Sequence, residues 1–248
     1  MITVEFKGNI GNQLFQYAAC RSLAETNSFD FHIPKSFAGN EILNLNCSLG
    51  NEMFNIINIF YENSAFKYEQ NFYNISDNTI LNGFFQSEKY FCKEKVKNWF
   101  KQPYNETAEY FLNQYKIDEY CYIHFRATDY ITTPYWLPKS YYDNAKNEIK
   151  NINNEIKFII ITDDVTYAKN YFPNDLIKKN DVIVDFYLLS HAKYIITSNS
   201  SFSWWSVYLN DICEKVIGPL NWLNYNNNLD VVGFAPEYSE IEKIMYII

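Results

Sequence analysis

Asp185-Phe186-Tyr187-Leu188-Leu189-Ser190, followed shortly by Tyr194-Ile195-Ile196-Thr197-Ser198-Asn199-Ser200-Ser201-Phe202-Ser203-Trp204-Trp205, is the stretch on which the fold turns. Phe186 to Ala192 reads as a helix and Tyr194 to Thr197 as a short buried strand. The small polar residues after that strand precede an aromatic helix, Ser201 to Leu209, and Lys215 to Ile217 reads as the next strand. Upstream, Cys121 to Phe125, Lys157 to Thr162 and Val182 to Val184 are strand-like runs separated by amphipathic segments. Apolar strands alternating with helices specify a parallel sheet covered on both faces, because a parallel connection needs a crossover long enough to hold a helix.

The amino-terminal part opens in the same way. Strand Ile2 to Phe6 leads into the loop Gly8-Asn9-Ile10-Gly11-Asn12 and a helix from Gln13 to about Glu25. Between Asn40 and Asn82 the pattern is weak; strand Thr79 to Leu81 and a helix from Lys89 to Phe100 follow, and Pro103-Tyr104-Asn105 breaks the periodicity. The chain is therefore expected to hold two α/β halves, 1–115 and 116–248, with the boundary between Gln102 and Tyr120. In such sheets ligands bind outside the carboxyl ends of the strands, and both halves would offer that edge to a shared cleft.

Composition bounds the function. With 248 residues, 48% of them hydrophobic and 19% aromatic, the chain can bury a sizeable core and is not a disordered linker. Its formal charge of -8 argues against general nucleic-acid binding and against attraction to anionic lipid, so an anionic ligand has to be met by local groups. Five cysteines without zinc spacing read as buried reduced thiols. Met1 to Phe6 does not look like a secretory leader, and no apolar run approaches the ~20 residues of a spanning helix. The expected location is cytoplasmic, with peripheral membrane association through a partner left open. The Asn-x-Ser/Thr triplets at Asn46, Asn74, Asn105 and Asn199 are then chance products of an Asn-rich chain.

Three segments can carry chemistry. In Gly8-Asn9-Ile10-Gly11-Asn12-Gln13 the glycines let a ligand approach the backbone, and the amides of Asn12 and Gln13 can read sugar hydroxyls or a diphosphate; a simple tight turn explains the pattern equally well. In His124-Phe125-Arg126-Ala127-Thr128-Asp129-Tyr130, alternation puts His124 and Arg126 on one side of the strand. Arg126 is one of only two arginines, and its guanidinium could grip a diphosphate, with Asp129 orienting it or moving a proton. A surface Arg-Asp pair beside a core histidine is the bland alternative. In the third, Ser200 or Ser201 can cap a helix whose N-terminus would favour phosphate, while Phe202, Trp204 and Trp205 could be no more than core.

Several patterns are missing. No Gly-x-x-x-x-Gly-Lys-Ser/Thr loop occurs, nor Asp-x-Asp, nor a Gly-x-Ser-x-Gly elbow; Asp163-Asp164 is the nearest approach to an acidic pair. The residues left are those suited to a metal-free site for a nucleotide diphosphate and a sugar.

As an ordered set these motifs resemble the bacterial-type α-1,2-fucosyltransferases, inverting GDP-fucose enzymes of GT-B architecture. The resemblance runs through Gly8 to Ala18, Gly83-Phe84-Phe85-Gln86-Ser87-Glu88-Lys89-Tyr90-Phe91, His124 to Tyr130, Thr162-Asp163-Asp164, Asp185 to Ser190 and Ser198 to Asn210. It implies transfer of L-fucose to the 2-hydroxyl of a terminal galactose on a glycan acceptor, without metal or other cofactor. Arg126, Asp129 and His124 would be catalytic. GDP-fucose would be held by Asn9, Gly11, Asn12, Gln13, Arg126, Asp185, Asn199, Ser200, Ser201 and Phe202, with Asp185 on guanine and Asn12 on the sugar side. The family's second arginine is Ala127 here. That departure leaves open a weakened enzyme that serves as a nucleotide-sugar or glycan-binding module, or a fucosyltransferase of different linkage.

Overall fold

The structure, a computed structural model, describes residues 1–42, 49–50, 57–63, 67–100, 106–220, 222 and 244–247. The interruption at Pro103-Tyr104-Asn105, together with Cys47 and the triplets at Asn46 and Asn105, lies outside them, apart from the boundary that the chain's division supplies. The chain splits into two compact units after Pro103.

The first unit is built on five parallel strands in the order β3-β2-β1-β5-β4: β1 (Ile2–Val4), β2 (Phe31–Pro34), β3 (Leu49–Gly50), β4 (Asn58–Tyr61) and β5 (Thr79–Asn82). β1 is central and wholly buried. Helix α1 (Ile10–Asn27) packs on it and buries Leu14, Phe15, Ala18 and Leu23, with the Tyr17 ring stacked on Phe37 at 5.1 Å. The helix begins at Ile10 rather than Gln13, so Gly11, Asn12 and Gln13 form its first turn. Ser28 ends it in the left-handed region, φ 56°, donating its N–H to the Ala24 carbonyl.

The second unit carries six parallel strands in the order β11-β10-β9-β6-β7-β8: β6 (Tyr120–Phe125), β7 (Lys157–Thr162), β8 (Leu176–Lys178), β9 (Tyr194–Ile196), β10 (Lys215–Pro219) and β11 (Ile244–Ile247). Alternation along β6 and β7 divides the core. Cys121, Ile123, Phe125, Phe158 and Ile160 meet Tyr141, Tyr142, Ala145 and Ile149 of α4 (Lys139–Ile152) on one face. Tyr122, Ile159 and Ile161 meet Val184 and Leu188 of α6 (Val182–Ser190), Val207 of α7 (Ser201–Tyr208) and Ala108 of α3 (Glu106–Gln114) on the other. Both faces are dry, which is why these strands read as unbroken apolar runs.

The strand order decides where a ligand can sit. From β6 the chain builds outward through β7 and β8, then returns to lay β9 against the other side of β6 and continues through β10 to β11. The order therefore reverses between β6 and β9, and the carboxyl ends of those two neighbours border the crevice that such a reversal creates.

Three expectations are corrected. Val182 to Val184 is the first turn of α6, and the strand before it is Leu176–Lys178; a short β-branched run has no periodicity of its own to separate the two states. The segment 89–100 is a 3₁₀ turn at Glu88–Tyr90, an extended break at Phe91 and α2 (Lys93–Trp99), because the first turn and the helix cannot share one axis across an extended residue. The division after Pro103 lies inside the expected range of Gln102 to Tyr120, and α3 buries Ala108 on the second sheet. The thiols of Cys20, Cys121 and Cys213 are buried, but Cys92 is exposed at the start of α2.

Tyr141 fastens α4 to the crevice: its buried hydroxyl donates to the Thr197 carbonyl at 2.6 Å, at the end of β9. Tyr141→Phe is expected to destabilise the protein by about 1–3 kcal/mol, since a buried carbonyl loses its partner. A urea or thermal melt indistinguishable from the parent would refute this.

Candidate functional site

β6 and β9 deliver their carboxyl-terminal residues side by side. His124 is the penultimate residue of β6, and its Nδ1 lies 2.8 Å from the Ser198 hydroxyl just beyond β9. Burial, and then the nearby Arg126 charge, lowers the pKa of the ring to about 4, so it is neutral at neutral pH. His124 is thus a strut between two strand ends, with its ring 5.5 Å from that of Phe202.

Arg126 follows β6 and is partly exposed. Nη1 pairs with Asp163 Oδ2 and Nη2 with Asp129 Oδ1, both at 2.5 Å. Asp163 also accepts the Ala127 N–H at 2.9 Å and the Thr128 hydroxyl at 2.7 Å. The adjacent carboxylate faces elsewhere, since Asp164 caps α5 (Val165–Tyr171) by accepting from the N–H groups of Thr166 and Tyr167. Ala127 is wholly buried among Phe125, Leu137 and Tyr141, so position 127 presents its side chain to the core and Arg126 stands as the guanidinium of this strand end.

The serine-rich segment divides into separate roles. Ser200 is the N-cap of α7, its Oγ accepting from the Phe202 N–H, while Ser201 opens the helix. Ser203 and Ser206 return their hydroxyls to the backbone at Ser200 and Phe202. Trp204 and Trp205 are core. Asn199 is buried and turned inward, donating to the carbonyls of Tyr135 at 2.9 Å and Trp222 at 2.8 Å, and its backbone carbonyl accepts from the Tyr130 hydroxyl. Asn199 therefore ties loops together rather than offering its side-chain N–H groups outward. What remains at the crevice is the N-terminus of α7, with the N–H groups of its first turn and the positive end of its dipole.

Asp185 sits in the first turn of α6 and accepts from Asn180 Nδ2 at 2.7 Å. Burial raises its pKa to about 7, and the negative charges of Asp181 and Asp163 add to the rise. Its neighbour Phe186 packs edge-on against Phe202 at 5.3 Å, joining α6 to α7. The second unit thus brings together His124, Arg126, Asp129, Asp185, Ser200, Ser201 and Phe202.

Asn9, Gly11, Asn12 and Gln13 make their own cluster in the first unit. Gly8 adopts φ 69°, and a Cβ there would collide with the Asn12 side chain. Asn9 supplies the carbonyl that receives the Asn12 and Gln13 N–H groups, Gln13 bridges the Gly8 carbonyl and the Ala38 N–H, and Asn12 Oδ1 accepts from Gln86 at 2.7 Å. Phe85 holds φ 51°, unusual for an aromatic residue, and Glu62 secures the bend by accepting from the N–H groups of Phe84 and Phe85.

Sequence reasoning missed the roles of Asp163, Thr128 and Glu62. An acidic pair directly after a strand was the available signal for Asp163; nothing local marks Glu62. Among the described residues no group of three or more His, Cys, Asp or Glu side chains could hold a metal ion, and no helix is long and apolar enough to cross a membrane.

His124 and Asp185 give opposite pH dependences of stability. His124 titrates lower in the folded protein than when unfolded, so its contribution is complete above about 6.5 and is lost as pH falls toward about 4. Asp185 titrates higher when folded, so its contribution is complete below about 3.8 and is lost as pH rises through about 7. Over the shared window the slopes oppose each other. In His124→Gln the stability measured by urea titration should decline more steeply from pH 4 to about 7 than in the parent; parallel profiles would contradict the assignment.

Residues 122–230 match the family model Glycosyl transferase family 11. The chain is 35% identical over 119 residues to the Escherichia coli O-antigen biosynthesis glycosyltransferase WbnK, a match covering 42% of this chain and 39% of that protein. It is 27% identical to an Escherichia coli alpha-1,2-colitosyltransferase across 98% of this chain and 99% of that one. The NodZ alpha-1,6-fucosyltransferase, solved after soaking with GDP-fucose, matches 87% of this chain and 92% of its own with a TM-score of 0.51 at 12% identity, a likeness of fold: α/β units with parallel sheets, GT-B-like. The family match lies over the unit that holds Arg126, Asp185 and the start of α7.

Proposed function

We propose that the protein transfers L-fucose from GDP-β-L-fucose to the 2-hydroxyl of a terminal galactose, with inversion and without a metal. The observation that carries this reading is the convergence of Arg126 and the N-terminus of α7 at the carboxyl ends of β6 and β9, where the strand order reverses. An arginine fork and a helix N-terminus match a diphosphate. Asp185 offers a carboxylate for the two N–H groups on the edge of guanine, which fixes the nucleotide's orientation across α6 and α7.

Charge builds on the β-phosphate as the glycosidic bond breaks. Arg126 and the α7 N–H groups face that charge in place, so they stabilise the departing GDP more than the bound donor. Asp129, partly exposed beside Arg126, is the carboxylate assigned to receive the proton of the attacking hydroxyl. His124, neutral and engaged with Ser198, keeps the two strand ends in register.

A second donor is favoured by a specific observation: the relative that spans nearly the whole chain is named a colitosyltransferase. Colitose is L-fucose lacking its 3-hydroxyl, and a site built for the GDP moiety would hold either sugar. The acceptor bond in that relative's name, α-1,2, is the one proposed here.

Purified protein with GDP-fucose, lactose or N-acetyllactosamine, and EDTA should release GDP in an acceptor-dependent manner, and Arg126→Ala should lower the rate by about 100-fold or more. Loss of the activity in EDTA, or an unaffected Arg126→Ala, would refute the reading; faster release from GDP-colitose would settle the donor in its favour. GDP should bind more weakly as pH falls through the range near 7 in which Asp185 takes up its proton. Asp185→Asn should bind GDP less well and abolish that slope; calorimetry at several pH values checks both.

A further inference from the structure

The guanidinium of Arg126 is held by two carboxylates that differ in how they are themselves held. Asp163 is 23% exposed and is fixed by three donors: Arg126, the Ala127 N–H and the Thr128 hydroxyl. Asp129 is 54% exposed, and apart from Arg126 its hydrogen-bond partner among the described residues is the same Thr128 hydroxyl, at 3.2 Å against the 2.7 Å that this hydroxyl keeps to Asp163. One carboxylate is built into the backbone turn after β6. The other is carried by a side chain that is mostly in water.

A carboxylate oxygen and a phosphate oxygen are the same kind of partner for a guanidinium fork. We propose that Asp129 occupies, in the donor-free protein, the place on Arg126 that a donor diphosphate oxygen takes, and that Asp163 is the positioning residue that holds Arg126 there throughout. The proposal rests on the assignment of Arg126 to the diphosphate made above. On donor binding the phosphate oxygen replaces Asp129 at Nη2, and Asp129 is released from the fork, free to meet the acceptor hydroxyl. Asp163 stays, because its departure would also strip the Ala127 N–H and the Thr128 hydroxyl of their acceptor. Arg126 is then never without an anion, and the apparent affinity for GDP is lowered by the share of molecules in which Asp129 holds the fork. The same exchange run backward assists release of GDP.

Calorimetric titration of GDP, and of guanosine as a probe without phosphates, into the parent protein, Asp129→Asn and Asp163→Asn separates the roles. Asp129→Asn should bind GDP about 3- to 10-fold more tightly, and Asp163→Asn about 10-fold more weakly, with guanosine affinity the same in all three. Equal or weaker GDP binding by Asp129→Asn overturns the proposal. So does equal tightening in both variants, which would mean that only net charge matters, and so does a parallel change in guanosine binding. If Asp163→Asn melts early, the Asp129 arm decides alone, since an exposed side chain can be changed without disturbing the turn. A parent protein that binds guanosine but gains nothing from the diphosphate refutes the assignment of Arg126 itself, whereas a parent that binds GDP while Asp129→Asn shows no gain refutes only the exchange.

Discussion

The parallel pairing of β6 with β9, closed at its carboxyl end by His124 and Ser198, is the constraint on which the second unit depends. A histidine buried to this degree is costly unless it is neutral and bonded, and the serine hydroxyl meets the second condition while burial enforces the first. Once β6 has β7 on one side and β9 on the other, the strand order must reverse there. Arg126 and the start of α7 then arrive together without any motif that joins them in sequence.

The rest of the site is electrostatics placed on that frame. The chain carries a formal charge of -8, so an anionic ligand gains nothing from the protein's overall field and relies on local groups. Arg126 provides a fixed cation whose two nitrogens point in different directions, a geometry that a lysine could not hold. Asp163, engaged by the backbone at Ala127, keeps that cation at the strand end. Asp185 sits on the neighbouring helix, where burial keeps its carboxyl close to its titration midpoint at neutral pH.

The arginine absent at position 127 takes on a different meaning in the fold. The side chain there enters the core beside Phe125 and Leu137, packed too closely to be a gap in an exposed cluster. The first unit shows a comparable economy in the Phe84-Phe85 bend, where Glu62 receives both N–H groups and Gln86 reaches Asn12. The Glu62 carboxyl titrates above the usual range because burial outweighs those hydrogen bonds.

The sequence by itself determined β6, β7, β9 and β10 of the second sheet, though not β8 or β11, the helix that follows the serine-rich segment and the position of Arg126, because a strand buried on both faces leaves an unbroken apolar run and a polar-to-aromatic switch marks a helix start. It did not reveal α4, whose buried side chains include Tyr141 and Tyr142, residues equally at home in strands, nor the helical state of Val182 to Val184. The division of labour between Asp163 and Asp164, and the inward turn of Asn199, were decided only by tertiary structure. In each case two chemically equivalent groups compete for distant partners: the Ala127 N–H against the first turn of α5, the carbonyls of Tyr135 and Trp222 against solvent. No local pattern records which partner the fold will bring within reach.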